Sequence, residues 1–183
     1  MMRLALNLVL GALVFAQAAR AAEVKEPDSY RTDDYRSPTP ATLRGAKAVA
    51  TDEAEAIWKS GNAVFIDVMP HPPRPPGLPP GTIWRERPRL NIPGSIWLPD
   101  TGYGALAGVT ENYLRSNLER VSGGDRGKLL VFYCLRNCWM SWNAAKRALA
   151  IGYTNVAWYP DGTDGWEDAL LPLQESKPER RPE

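Results

Sequence analysis

The sequence predicts an α/β fold with parallel strand pairing, and three observations carry that prediction. Short apolar runs of strand length recur at 63–68, 129–133 and 155–159. Segments with apolar residues at helical spacing alternate with them. Glycines stand where those helical segments should stop. Brief buried strands fed by helices pair in parallel, because a crossover helix returns the chain to the same end of the sheet.

The elements follow in order. Residues 22–40 are polar and carry Pro27, Pro38 and Pro40, which reads as an extended arm. A helix follows: Thr51 or Asp52 can cap it, Glu55 stands three residues after Asp52 as a capping-box partner, and Gly61 can end it. Ala54, Ile57 and Trp58 share one face of that helix. Ala63 to Val68 is the first buried strand, with Asp67 at its end as a buried group that holds a loop by hydrogen bonds. The segment 70–88 begins P-H-P-P-R-P-P-G-L-P-P, and prolines lacking N–H groups exclude a helix or an inner strand there. It reads as a rigid spacer over the surface, with His71 a solvated loop residue. Asn91 to Ser95 forms a turn that launches a short strand, Ile96 to Leu98. A glycine-rich loop covers 101–108, and a helix starts at Thr110 with Tyr113, Leu114, Leu118 and Val121 on its apolar side. Leu129 to Tyr133 is the clearest strand, a helix runs from about Ser141 to Ala150, and Asn155 to Tyr159 is the last strand. Asp161 to Trp166 reads as a turn, and the charged tail 174–183 as frayed.

Composition narrows the function. The 183 residues, with 22 basic against 21 acidic side chains, suit one domain and lack the basic excess that non-specific nucleic-acid binding needs. Two cysteines and one histidine exclude a disulfide-dense scaffold, a four-cysteine zinc site and a multi-histidine metal centre. The N-terminus has Arg3, an apolar run from Leu4 to Ala16 and Ala19-Arg20-Ala21, the pattern of a secretory signal peptide over 1–21. The run is shorter than the roughly 20 residues of a spanning helix, so no membrane span is expected after cleavage. The mature chain is then expected in the periplasm, where cysteines can be oxidised.

The chemistry concentrates in Y-C-L-R-N-C-W-M-S-W-N-A-A-K-R-A, where Cys134 ends a strand and precedes a helix. Loop amides and the helix N-terminus stabilise a thiolate there, which makes Cys134 a candidate nucleophile. Leu135, Arg136, Asn137, Trp139 and Met140 complete the candidate anion-binding loop, with Arg136 able to add positive charge. Cys138, four residues on, can form a disulfide with Cys134 or act as a resolving thiol. A plain structural disulfide and a buried inert Cys134 are the alternatives. Cys134, Cys138 and Met140 together could hold copper(I). Trp84, Trp97, Trp139, Trp158 and Trp166 could line a pocket for a conjugated ligand, although tryptophans are more often core residues, and Trp139 is expected to be partly exposed.

Six segments in order, I-D-V (66–68), N-I-P-G-S (91–95), L-V-F-Y-C (130–134), S-W-N-A-A (141–145), I-G-Y-T-N-V (151–156) and D-G-T-D-G-W (161–166), resemble the rhodanese domain over 41–173. The resemblance implies a single domain with a central five-stranded parallel sheet, helices on both faces, and Cys134 as the sulfur-carrying nucleophile. It also implies a small sulfur donor or thiol acceptor as partner. The C-L-R-N-C-W stretch with the signal peptide is similar to the rhodanese-like CXXCW-motif proteins associated with catabolism that depends on pyrroloquinoline quinone (PQQ), although three residues separate the cysteines here. That implies a link to a periplasmic quinoprotein dehydrogenase system, with PQQ as an implied ligand. Two functions follow: a sulfurtransferase with a Cys134 persulfide that Cys138 resolves or protects, or a thiol–disulfide or cofactor-binding accessory without sulfur transfer. A non-catalytic interaction domain is a third. Where the family has Arg after Asp-Val this chain has Met69, where it has His before Ile-Pro-Gly it has Asn91, and the Arg or Lys at the loop end is absent.

Overall fold

The computed structural model describes residues 24–71, 74–83 and 87–181. The segment 1–21 and Trp84 lie outside them. Eleven elements follow in order: β1 (Lys47–Ala48), α1 (Thr51–Ser60), β2 (Ala63–Asp67), β3 (Arg89–Asn91), β4 (Ile96–Trp97), α2 (Gly108–Ser122), β5 (Leu129–Tyr133), α3 (Trp139–Ala150), β6 (Val156–Tyr159), α4 (Gly162–Asp168) and β7 (Gln174–Ser176).

Five strands form one parallel sheet in the order β1-β6-β5-β2-β4. The α/β class and the five-stranded parallel sheet expected from the sequence are present. At the centre, β2 and β5 pair from Ala63 opposite Leu129 to Asp67 opposite Tyr133. Asp67 and Tyr133 therefore end their strands side by side, and the loop after Tyr133 leaves at the carboxyl edge.

Strand alternation sorts the core into two layers. Ile66, Leu130, Phe132 and Trp158 pack with Tyr113, Leu114 and Leu118 of α2 and Trp142, Ala145 and Ala148 of α3. Phe65, Val131, Tyr133 and Tyr159 point the other way, onto Ala54 of α1 and Trp166 of α4. Burying both faces makes the inner strands continuously apolar, which is why they read so clearly. Trp58 joins the second layer, and its indole N–H donates to Pro93 O at 2.8 Å.

Four expectations need correction. Thr51 does not cap α1: Ala50 is the N-cap without a side-chain hydrogen bond, and Thr51 Oγ1 lies 2.9 Å from the Tyr159 hydroxyl. Gly61 does end that helix, in the left-handed region at φ 67°. The 161–166 turn is the start of α4, whose Trp166 anchors the second layer. The tail expected to fray carries β7, which pairs antiparallel with β3 and satisfies backbone groups of both. Beyond it, Glu179 N–H donates to Trp97 O at 2.9 Å. α3 begins two residues earlier than predicted, at Trp139, because Trp139 and Met140 are themselves buried. Among the described residues no helix is long and apolar enough to cross a membrane.

Candidate functional site

Cys134 follows β5 directly and is fully buried. It is joined to Cys138 in a disulfide with Cα atoms 6.3 Å apart. Cys138 is the N-cap of α3 and is 2% exposed. Asn137 between them takes φ 55°, a left-handed conformation that asparagine tolerates and that turns the loop back on itself. The two cysteines meet because this short loop reverses between a strand end and a helix start.

The backbone groups around Cys134 are partly spent. Thr163 N–H donates to Cys134 O at 3.0 Å, and Leu135 forms a β-bridge to Gly162. Gly162 has φ 53°, and a side chain there would strike the Cys134 carbonyl, so glycine is what lets α4 approach the loop. Arg136 N–H donates to Asp164 Oδ2 at 3.1 Å. Trp139 N–H, a first-turn donor of α3, is capped by Tyr35 O of the N-terminal arm at 2.9 Å.

The predicted loop residues divide. Leu135 lines a cavity of about 260 Å³ with Arg89, Thr163 and Asp164. Arg136 does not turn into the loop: its guanidinium reaches outward to Asp161 and Asp168, at 3.3 and 2.7 Å. Those carboxylates hold its pKa above the usual arginine value. Asn137 is exposed. Trp139 is 3% exposed rather than partly open, because its indole N–H donates to Ser37 Oγ and Pro38 O of the arm, both at 3.1 Å. Met140 is buried against the first core layer. With both cysteines in the disulfide no thiolate stands beside Met140 for copper(I), and among the described residues no cluster of three His, Cys, Asp or Glu could hold a metal. Trp139 and Trp158 lie in one core layer and Trp166 in the other, while Trp97 donates its N–H to Met69 O, so these four indoles line no common pocket.

A polar cluster stands beside the disulfide, and of its members the sequence singled out Asp67 as a buried hydrogen-bonding group but not Arg89. Asp67 is fully buried, as expected, and accepts from Met69 N–H at 2.9 Å, Arg89 Nε at 2.8 Å and Asn91 Nδ2 at 3.0 Å. Asn91 Oδ1 in turn accepts from the Tyr133 hydroxyl at 2.7 Å. Burial, and next the nearby Asp67 charge, push the Tyr133 pKa well above its usual value. Arg89 reaches Thr163 Oγ1 at 3.3 Å and Cys134 O at 3.5 Å. Its burial lowers the pKa, but the Asp67 charge and hydrogen bond outweigh that, and the guanidinium stays ionised. Met69 Sδ lies 3.6 Å from Cys134 Sγ. The missing arginine at position 69 was the signal available: the site's cation enters instead from β3, 20 residues later.

A family model of the rhodanese-like domain matches residues 50–169. The chain belongs to the rhodanese-like family. Among solved structures, a thiosulfate sulfurtransferase from Pseudomonas aeruginosa superposes with a TM-score of 0.52 at 20% identity, over 76% of this chain and 22% of that one. EanB in a complex with ergothioneine covalently linked to a persulfide superposes with a TM-score of 0.50 at 24% identity, over 72% of this chain and 32% of that one. This rhodanese-like chain thus spans about a fifth and a third of those proteins, and the likeness is one of fold. No curated protein matches it closely enough to count.

Proposed function

We propose that this chain is a periplasmic sulfurtransferase in which Cys134 carries a persulfide and Cys138 resolves it. The observation that carries the reading is the placement of Cys134 at the end of β5, before α3, in a disulfide with Cys138. Reduction of that disulfide by a dithiol frees the Cys134 thiolate. The thiolate attacks the outer sulfur of a sulfane donor such as thiosulfate. The S–S bond of the donor breaks, sulfite leaves, and Cys134 keeps the sulfur as a persulfide. Attack by the Cys138 thiolate on the inner sulfur then expels hydrosulfide and restores the disulfide. Arg89 supports the anionic steps as an ionised group beside the Cys134 carbonyl. A periplasmic setting is supported by the signal-peptide pattern of 1–21. A role beside PQQ-dependent alcohol oxidation is supported by the resemblance of the C-L-R-N-C-W stretch.

The disulfide also supports a second reading, in which the pair only exchanges electrons with a partner dithiol and carries no sulfur. Intact mass spectrometry separates the two. Reduced protein mixed with thiosulfate gains about 32 Da, the gain is absent in Cys134→Ser, and it persists longest in Cys138→Ser. A protein that cycles through reduction and oxidation by 2 Da and never gains sulfur belongs to the redox reading.

A further inference from the structure

Arg147 of α3 is a buried cation outside the Cys134 site. It is 6% exposed. Its guanidinium donates to Thr101 O at 3.2 Å and to Tyr103 O and Gly104 O, both at 3.0 Å. The Tyr30 ring of the N-terminal arm covers it, with the ring centroid 4.3 Å from Cζ. Among the described residues no carboxylate pairs with it, whereas the partly exposed Arg89 has Asp67. Burial lowers the Arg147 pKa from its usual value, and the surrounding groups do not offset that. A buried charge is costly until an opposite charge meets it. An arginine has five N–H groups, and the three carbonyls take three of them.

Arg147 and Tyr30 line a cavity of about 260 Å³ at the end of α3. Glu111 and Arg115 of α2 also line it, and they bind each other at 2.7 and 3.1 Å, so their charges cancel. The charge of Arg147 is left over. Leu106 and Ile151 add apolar wall. The arm is fixed beside the cavity, because Arg31 N–H donates to Asn143 Oδ1 at 2.9 Å and Asn143 Nδ2 donates to Arg31 O at 2.8 Å. None of the residues lining this cavity lines the one beside Leu135, so the two places are separate. The volume is below that of pockets for drug-sized molecules, which limits a ligand to a few heavy atoms.

We propose that this cavity binds a short-chain aliphatic monocarboxylate. Its carboxylate supplies the anion that the Arg147 guanidinium lacks, accepting from N–H groups that the loop carbonyls leave over. Its alkyl chain lies against Leu106 and Ile151. A single negative charge matches the single unpaired cation, and the apolar wall favours a carbon chain over a bare inorganic anion. Binding here is independent of the sulfur chemistry at Cys134.

Amide NMR titration of the oxidised protein tests this, with sodium butanoate as the probe and ionic strength held constant with sodium chloride. Butanoate should give saturable shifts at Gly104 and Ile151, with Kd about 1 mM or tighter. Inorganic phosphate has the charge without the chain, and 1-butanol has the chain without the charge. Each should bind about tenfold or more weakly than butanoate. Arg147→Gln should weaken butanoate binding about tenfold or more, but it also removes the bonds that hold the 101–104 loop. Ala150→Phe avoids that: it fills the cavity from an exposed position at the end of α3 and leaves Arg147 in place. It should weaken binding to the same degree with an unchanged circular dichroism spectrum. No saturable shift in the wild-type protein, or equal binding by Ala150→Phe, overturns the site. Phosphate binding as tightly as butanoate overturns the role of the chain, and butanol binding as tightly overturns the role of Arg147.

Discussion

Arg89 and Arg136 approach the Cys134 loop from different elements, and their surroundings differ. Arg89 comes from β3, its side chain is 14% exposed, and its partner Asp67 is fully buried. Arg136 belongs to the loop itself, is 43% exposed, and pairs with Asp161 and Asp168, which are 41% and 67% exposed. Water screens the second set, while the first sits where charge acts strongly and an unpaired ion is costly. Membership of the loop therefore does not make an arginine part of the site. The buried arginine, delivered from a distant strand, is the one positioned to influence Cys134.

Truncating Asp67 gives the largest contrast. Asp67→Ala leaves the Arg89 guanidinium and the Asn91 amide without their shared acceptor, and should cost about 3–5 kcal/mol in urea unfolding. A loss below about 1 kcal/mol would show that the cluster is better hydrated than its burial implies.

The tyrosines on the two sides extend the comparison to pH. Tyr133 stands on the Arg89 side, with its pKa well above 10, and Tyr159 lies on the Arg136 side, pushed up to about 12 chiefly by burial. A tyrosine whose folded pKa is raised keeps its proton in the folded chain after the unfolded chain would release it. The resulting stability is complete below pH 10 and is lost as pH rises toward 12. For Tyr159 the loss is on the order of 2–3 kcal/mol. Denaturant midpoints at pH 8, 10 and 11.5 should fall only over the last interval.

A smaller effect separates charge from shape. Arg89→Lys keeps the cation but loses the planar fork that spans Asp67, Thr163 and the Cys134 carbonyl. Sulfur loading of reduced Cys134 should slow about tenfold, near 1.4 kcal/mol, while circular dichroism stays unchanged. An unaltered rate would remove Arg89 from the chemistry. Smallest of all, Arg136→Ala should cost under about 1 kcal/mol and leave sulfur loading at the wild-type rate. A large loss of loading there would reverse the comparison between the two arginines.

Legibility follows the same division. β5 was readable to the residue because Leu129 to Tyr133 is buried on both faces and carries no competing signal. Cys134, Cys138 and the placement of a helix after them were readable because they lie within one short segment. Strands β1, β3 and β7 were not, since each has two or three residues, with exposed Lys47, Leu90 and Glu175 among them, and only pairing defines it. The burial of Trp139 was missed because the arm that covers it lies about 100 residues earlier in the chain.

Hydrophobic periodicity and the spacing of glycines thus determined the α/β class, the main strands and helices, and the strand–cysteine–helix segment, because these depend on neighbours in the chain. The tertiary structure decided which charges face that segment. Asp67 at the end of β2 meets Arg89 and Asn91 of β3 through side-chain hydrogen bonds, and Arg136 is drawn off by the carboxylates of Asp161 and Asp168 at α4. Charge pairing acts between residues close in space whatever their separation in sequence, so its outcome exists only once the chain has folded.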